Sequence, residues 1–193
     1  MENNLRSILI LRFSSIGDIV HSTSVIGTLK SYFPDLSIDF MTLSKFAPLV
    51  KNHPKIDRVL SVDINDGYFA LKKIGLSIQK NGYDLVVDLH NTTRSRIIRK
   101  AMRKTKSLIL PKPRWKRFNL FMFHKNNFSP DFSVRSWLHD PIKHLLPQEY
   151  TMSETKLSIS DLEAVSYTHL RAHETREARG WRRVGGKKEG GGG

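Results

Sequence analysis

A polar segment near the start of the chain, Ser14 to Asp18, places a glycine, two hydroxyls and a carboxylate directly before a helical pattern. Gly17 would let the backbone approach a ligand closely, and the unpaired amides of a first helical turn favour negative charge. The segment therefore predicts a binding site for an anionic group. The spacing of Ser15 and Asp18 also fits a helix capping box, in which the carboxylate serves only the helix start. Both interpretations stay open, and with a single glycine and no Gly-Lys-Ser ending the segment matches neither the phosphate-binding loop nor the dinucleotide fingerprint.

A second polar segment, Asp88 to Ser95, follows the clearest buried-strand pattern of the chain. It contains Arg94, which is suited to a carboxylate or phosphate because its planar guanidinium can bind such groups through two hydrogen bonds. Asp88 and His90 more often hold a loop than react, and a lone histidine gives little support for a metal. No HxxxH pair or carboxylate pair has ligand spacing, so we expect no metal site.

Strand and helix patterns alternate along the chain as far as Leu110. Short apolar runs predict strands, and apolar residues three or four positions apart predict helices. This alternation indicates right-handed crossovers and a parallel sheet covered on both faces. The predicted class is a Rossmann-like, doubly wound α/β fold, in which ligands bind beyond the carboxyl ends of the strands. The predicted strands are 8–11, 37–43, 58–62, 84–89 and 107–110, and the predicted helices are 19–33, 44–51, 68–78 and 93–102.

The composition narrows the class of protein. A chain of 193 residues fits one domain with its own core, and the lack of cysteine excludes disulfides, thiolate metal ligands and a cysteine nucleophile. No apolar run approaches the roughly 18 residues that a membrane span requires, and the polar start lacks the layout of a signal peptide. We therefore expect a cytoplasmic protein.

The formal net charge is +14, and twelve Lys or Arg with no acidic residue lie between Arg94 and Lys125. Such a run can be a solvated helix face. It could instead hold an anionic acceptor or anionic lipid, or bind nucleic acid through phosphate contacts and base stacking. The aromatic residues that stacking would use are Trp115, Phe118, Phe121 and Phe123.

The last 29 residues differ from the rest of the chain. From Val165 onward they hold seven of the twelve glycines, with seven Lys or Arg and three acidic residues, which leaves residues 1–164 with a net charge of +10. Glycine-rich ends are usually linkers or disordered termini. The segment VSYTHLRAHET also resembles the conceptual translation of a sequencing-library adapter. We therefore expect a boundary near Ala164 and a disordered, non-native tail over residues 165–193.

Three motifs occur in order at natural spacing: RFSSIGDIVHS, HPKIDRVLSVD and YDLVVDLHNTTRSRIIRK. As a set they resemble the amino-terminal domain of the lipopolysaccharide heptosyltransferases, glycosyltransferase family 9. The resemblance implies the amino-terminal half of a GT-B glycosyltransferase, whose two Rossmann-like domains face each other across a cleft. Residues 1–164 would be the acceptor-binding domain, and the domain that binds most of the ADP-heptose donor would be missing. At Ser24 the family often has a proline.

The resemblance implies a role for both polar segments. Asp18 would be the general base that takes a proton from the acceptor hydroxyl as it attacks the anomeric carbon of the donor with inversion. The resemblance implies no metal and no cofactor, only ADP-heptose as donor substrate. The implied acceptor-binding residues are Ser14, Ser15, Gly17, Asp88, His90, Asn91, Arg94 and Ser95.

The implied function is transfer of a heptose to the lipopolysaccharide inner core, a lipid A–Kdo acceptor, at the cytoplasmic face of the inner membrane. The basic stretch would then contact the acceptor and anionic lipid rather than nucleic acid. A basic nucleic-acid-binding α/β module is the alternative, and an inactive structural fragment is a third. Because transition-state stabilisation needs contacts to the donor pyrophosphate as well as a base, we expect no measurable transfer by this chain alone.

Overall fold

The computed structural model describes residues 5–112, Met122 and residues 132–157. The described elements belong to one unit, Met1–Ser158, and a second unit, Ile159–Gly193, lies outside the described residues. Within the described part, none of the helices combines the length and the apolar character that crossing a bilayer requires.

Several sequence-based predictions fall on residues that the structure does not describe. They are the boundary near Ala164, the tail over residues 165–193 and the aromatic residues interleaved with the basic stretch, Trp115, Phe118, Phe121 and Phe123.

Five parallel strands form one sheet. The strands are β1 (Ser7–Leu11), β2 (Ser37–Leu43), β3 (Arg58–Val62), β4 (Leu85–Asp88) and β5 (Lys106–Ile109). The connecting helices are α1 (Ile16–Tyr32), α2 (Pro48–Lys51), α3 (Tyr68–Gln79) and α4 (Thr93–Ala101), and α5 (Val134–His139) follows later in the chain. The order in the sheet is β3-β2-β1-β4-β5, with every neighbouring pair parallel. The predicted doubly wound α/β class is confirmed.

The direction of the crossovers reverses at β1. From β1 the chain moves outward through α1 to β2 and β3, and α3 then carries it to the other side of β1, where β4 and β5 lie. With right-handed crossovers, α1 and α2 cover one face of the sheet, and α3 and α4 cover the other. Ligands of open α/β sheets bind beyond the carboxyl ends of the strands at such a reversal. Both polar segments begin there, because Leu11 at the end of β1 pairs with Asp88 at the end of β4.

The central strand β1 forms the middle of the core. Its residues from Ile8 to Leu11 have no exposed surface. A strand with neighbours on both sides and helices on both faces is buried all round, which explains a continuous apolar run rather than an alternating one. The loop that follows β1 is therefore attached to a rigid part of the molecule.

Hydroxyl groups on α1 bind an extended segment near the end of the described chain. The Ser153 amide donates to Thr28 Oγ1 at 2.9 Å, and the Ser24 hydroxyl donates to the Ser153 carbonyl. A Cβ at Gly27 would lie 2.7 Å from the Ser153 Cβ, so the close approach requires glycine there. Ser24, where the resembling family often has a proline, thus helps to hold this segment.

Two parts of the structure differ from the sequence prediction. The helix expected at 44–51 is a short 3-10 turn, Ser44–Phe46, followed by α2, because Pro48 lacks an amide hydrogen and is suited to begin a new helix. The helix α5 and the 3-10 helix Asp140–Leu145 were not predicted. At six residues each, they are too short to show an apolar repeat.

A polar cluster around the buried Asp39 carboxylate lies at the amino-terminal edge of the sheet. The Tyr83 hydroxyl donates to Asp39 Oδ2, and Arg58 Nη2 donates to the same oxygen at 2.7 Å. Burial raises the pKa of Tyr83 to about 12, and the hydrogen bond to Asp39 acts in the same direction. The phenol therefore remains a donor to the buried carboxylate throughout the neutral range.

We expect Tyr83→Phe to lower the free energy of unfolding by about 1–3 kcal/mol, because the buried Asp39 carboxylate loses a hydrogen bond. Urea unfolding at pH 7 measures the change. Tyr68→Phe, at an exposed tyrosine, is the matched control and should leave the midpoint within error. Equal midpoints for the two variants would contradict a stabilising role for the cluster.

Candidate active site

The first polar segment joins the end of β1 to the start of α1. Ser15 precedes the first helical turn. Its amide and its hydroxyl both donate hydrogen bonds to Asp18 Oδ2 at 3.3 Å. The capping box predicted from the sequence is confirmed. The Asp18 side chain nevertheless keeps 32% of its surface exposed, so a ligand hydroxyl could reach it.

Arg12, directly after β1, connects the two polar segments. Its Nη2 pairs with Asp18 Oδ2, and its Nη1 donates to the Leu89 carbonyl. Arg12 is buried and Asp18 is partly exposed, so the guanidinium holds the carboxylate from the protein interior. Sequence reasoning did not select Arg12. The signal that could have found it is position, since it is a charged residue that follows a fully buried strand at the ligand-facing edge.

Asp88 holds the second polar segment in place. Its Oδ1 accepts the amides of His90 at 3.0 Å and Asn91 at 2.7 Å, and its Oδ2 accepts Arg99 Nε at 2.9 Å. These partners stabilise a carboxylate that has no exposed surface. Asp88 thus holds the loop, as its sequence context favours, and its side chain has no exposed surface with which to touch an acceptor.

Asn91 and Ser95 shape the rest of this loop. Asn91 adopts a left-handed backbone with φ of 50°, which asparagine tolerates better than most residues, and its side chain donates to the Leu110 carbonyl at 3.0 Å. Thr92 and Ser95 form the capping box of α4, in which the Thr92 amide donates to Ser95 Oγ at 2.9 Å. Ser95 is buried, so it supports the helix start from behind the ligand-facing surface, whereas Asn91 is partly exposed.

His90 packs between the two loops. Its Nδ1 accepts the Phe13 amide at 3.0 Å, and the two ring centroids are 5.6 Å apart. Burial lowers the pKa of His90 to about 4, and the nearby cations Arg12 and Lys112 act in the same direction. The ring is therefore neutral at pH 7, and its proton is on Nε2 because Nδ1 is an acceptor. A neutral ring here can donate one hydrogen bond to a ligand.

A cleft of about 470 Å³ opens at this edge of the sheet. Arg94, in the first turn of α4, lies in its wall and donates Nη2 to the Ile64 carbonyl at 2.6 Å. Its Nε is buried and has no hydrogen-bond partner within the described residues, so the guanidinium is incompletely hydrogen-bonded. Such a group suits a carboxylate or phosphate. The lining residues are Phe13, Ser14, Leu43, Asp66, Tyr68, Leu71, His90, Thr92, Thr93, Arg94 and Ile97.

The structure brings most of the predicted site residues to one edge of the sheet. Ser14, His90 and Arg94 line the cleft. Asp18 is not among the lining residues, but it accepts a hydrogen bond from Ser15, which follows Ser14 in the chain. A Cβ at Gly17 would meet no atom within 4 Å, so packing does not require a glycine there. Across the described ranges, no three His, Asp or Glu side chains are grouped to hold a metal ion.

The partly buried His90 should make the fold sensitive to acid. Its pKa of about 4 in the folded chain lies below the ordinary value near 6.5, so the unfolded chain binds more protons between these values. The stability that comes from the neutral ring is present above about pH 6.5 and is lost as the pH falls toward 4. We expect about 1–2 kcal/mol, allowing for solvent screening of a half-buried ring.

His90→Asn tests this contribution, because an asparagine oxygen can still accept the Phe13 amide but does not titrate. Free energies of unfolding at pH 7 and pH 4.5 should fall less between the two pH values in the variant than in the unsubstituted chain. His53 and His139, whose pKa values are also lowered by burial, are present in both proteins and cancel. If the free energy of unfolding falls equally in the two proteins between pH 7 and pH 4.5, His90 does not cause the acid sensitivity.

Comparison with known sequences identifies relatives, although no family model matches the chain. Lipopolysaccharide heptosyltransferase 1 of Campylobacter coli is 29% identical over 127 residues, which are 65% of this chain and 33% of that protein. Lipooligosaccharide heptosyltransferase 2 of Haemophilus ducreyi is 35% identical over 94 residues, which are 47% of this chain and 27% of that protein. The matched segments thus span a third or less of these curated relatives.

Solved structures show the same fold at low identity. A family 9 glycosyl transferase from Veillonella parvula superposes with a TM-score of 0.63 at 16% identity, over 90% of this chain and 51% of that one. The Escherichia coli heptosyltransferase WaaC, solved with ADP-2-deoxy-2-fluoro heptose, gives a TM-score of 0.55 at 18% identity, over 78% of this chain and 50% of that one. The chain therefore has the α/β fold found in half of a GT-B-like glycosyltransferase.

The sequence comparison and the fold comparison agree with each other. The chain is similar in sequence to lipopolysaccharide heptosyltransferases, which are enzymes, and in fold to a family 9 glycosyl transferase. The resemblance described from the sequence motifs is confirmed.

Proposed function

We propose that this chain is the acceptor-binding domain of an inverting glycosyltransferase, which transfers a heptose from ADP-heptose to the lipopolysaccharide inner core. The observation that carries the proposal is that a partly exposed carboxylate, Asp18, and a cleft lined by Arg94 both lie at the reversal point of the sheet. The names of the sequence relatives favour a lipopolysaccharide or lipooligosaccharide acceptor, and the family resemblance implies that this acceptor is lipid A–Kdo.

In this proposal Asp18 is the general base. A sugar hydroxyl is a poor nucleophile, and a positioned carboxylate that accepts its proton contributes about 10²- to 10⁴-fold in rate. Hydrogen bonds from Ser15 and the ion pair with Arg12 orient the Asp18 carboxylate before substrate arrives. Arg12 is then a positioning residue, because it acts through Asp18.

Arg94 is the proposed contact for an acidic group of the acceptor. It lies in the cleft wall with a guanidinium that is incompletely hydrogen-bonded. Ser14 and His90 line the same cleft and can form hydrogen bonds to acceptor hydroxyls, whereas Asp88 and Ser95 hold the loop that carries His90.

The donor would bind mainly to a second domain. The chain spans about half the length of the solved relatives that it matches. Stabilising the leaving pyrophosphate needs contacts from both sides of the cleft, so we propose that residues 1–164 bind acceptor but do not transfer sugar alone.

Acceptor binding by an Arg94→Gln variant tests the proposal. The ligand is the deacylated headgroup of lipid A bearing Kdo, followed by titration calorimetry. We expect affinity to fall about tenfold or more, since a hydrogen bond to a charged group is worth roughly 1.5–3 kcal/mol. Arg6→Gln is the matched control, because Arg6 is an exposed arginine that precedes β1, at the opposite edge of the sheet. Equal weakening by both variants, or none by either, would contradict the assignment.

A further inference from the structure

The outer side of α3 combines exposed apolar and basic side chains in one stripe. Phe69 is 82% exposed and Leu76 is 50% exposed. They lie about two turns apart on the same side of the helix. Lys72 and Lys73 lie between them and are exposed, and Lys80 follows at the helix end. Exposed apolar side chains that are grouped on one side of a helix, rather than scattered singly, mark surfaces where a membrane or a partner molecule binds.

The helix α4 extends this surface. A Cβ at Gly75 would lie 2.7 Å from the Ala101 Cβ and 2.8 Å from the Ile98 carbonyl oxygen, so the two helices pack in close contact. Their outward sides therefore form one surface, which we call the α3–α4 face. Its exposed basic residues on and after α4 are Arg96, Lys100, Arg103 and Lys104.

The charge of the α3–α4 face is of one sign. The sequences of α3 and α4 contain no acidic residue. The acidic residues just before α3 are engaged within their own loop, where Asp66 Oδ2 accepts the Asp63 amide at 2.8 Å and Asp63 Oδ1 accepts the Asn65 amide at 2.8 Å. A surface with this charge is complementary to a dense layer of anionic groups.

We propose that the α3–α4 face docks on an anionic lipid bilayer, with Phe69 and Leu76 entering the interface and the lysines contacting phosphate headgroups. Interfacial binding needs apolar side chains on one side of a helix together with cations at the same level, and α3 has both. Phe69 and Leu76 are about 10 Å apart along the helix axis, so the helix can lie flat on the surface.

A bilayer fits the α3–α4 face better than RNA does. Both would attract the cations, and Phe69 could stack on a base. Leu76 has no π-face for stacking, but it gains free energy when it leaves water for acyl chains. The proposal extends beyond the transferase reaction, because docking needs neither Asp18 nor Arg94.

Tyr68 relates this face to the cleft. It is the first residue of α3 and also lines the cleft, so the bilayer-facing surface begins at the cleft wall. A domain docked in this way would have its cleft next to the lipid surface.

The absence of cysteine allows a direct test. Phe69→Cys carries an environment-sensitive dye at its single thiol, and Lys51→Cys, on α2 at the opposite face of the sheet, carries the same dye as matched control. With vesicles of 30% phosphatidylglycerol in phosphatidylcholine, position 69 should show a blue-shifted emission and protection from an aqueous quencher. Position 51 should show neither, and vesicles of phosphatidylcholine alone should produce no shift at position 69.

Vesicle co-sedimentation of the full chain provides a second measurement. Phe69→Ser/Leu76→Ser and Lys72→Gln/Lys73→Gln should each weaken partitioning about tenfold, whereas Lys45→Gln/Lys51→Gln should leave it unchanged. All variants keep the basic tail, so its contribution cancels. The proposal is overturned by equal partitioning of all variants, by equal dye signals at positions 69 and 51, or by single-stranded RNA shifting the dye at position 69 where vesicles do not.

Discussion

Asp18→Asn is expected to lower kcat about 10²- to 10⁴-fold when this domain is completed by a donor-binding half, because the amide cannot accept a proton from the acceptor hydroxyl. A chimera of residues 1–164 with the carboxyl-terminal half of the Campylobacter coli relative provides such an enzyme, and its turnover without substitution is the reference. The asparagine oxygen can still accept the Ser15 amide, so the start of α1 is retained. The KM for acceptor should change far less than kcat, since the loss concerns the transition state.

Two controls separate a base from a structural carboxylate. Asp35→Asn, at an exposed position after α1, should leave kcat unchanged. Thermal unfolding should show that the Asp18 variant remains folded at the assay temperature. An Asp18→Asn chimera within tenfold of the reference would contradict the assignment of Asp18 as the base.

The second large effect concerns stability. Asp88→Asn should lower the free energy of unfolding by about 3–5 kcal/mol, because it leaves the largely buried Arg99 guanidinium without its carboxylate. The Oδ1 position can still accept the His90 and Asn91 amides, so the loss reports mainly the ion pair. Urea unfolding at pH 7 measures it.

A matched pair at the surface provides the comparison for Asp88. Asp140 Oδ1 and Lys143 Nζ are 2.6 Å apart, with Lys143 exposed and Asp140 partly exposed, so Asp140→Asn should cost less than about 1 kcal/mol. Arg99→Gln combined with Asp88→Asn should be less destabilising than the sum of the two single changes, because the unpaired charge is removed. Additive losses would show that the two groups do not stabilise each other.

Local patterns in the sequence predict most of the fold. The buried run at Ile8–Leu11 and the apolar repeat of α1 are strong signals, since burial on both sheet faces leaves a continuous apolar run and helical packing leaves an apolar repeat. The rule for open α/β sheets then places both polar segments at one edge, where the structure has them. α5 follows a long stretch without a clear pattern and is only six residues long, which explains why it was not predicted.

Pairings across the fold could not be predicted in the same way. Arg12 contacts Leu89, 77 residues away, and no local spacing carries that information. Asp88 is likewise buried by the surrounding sheet and paired with Arg99, and the sequence near Asp88 indicates neither. At Asp18 the local sequence allowed a helix cap or an anion site, and the structure confirms the cap while leaving a third of the side chain exposed.

Equilibrium binding by the unsubstituted chain tests the central claim most directly, namely that it is the acceptor-binding half of a glycosyltransferase. Titration calorimetry compares three ligands: the deacylated lipid A–Kdo headgroup, ADP-heptose and single-stranded RNA. We expect saturable binding of the headgroup that depends on Arg94, with weak or no binding of the other two ligands. Binding of ADP-heptose or RNA in preference to the headgroup would contradict it.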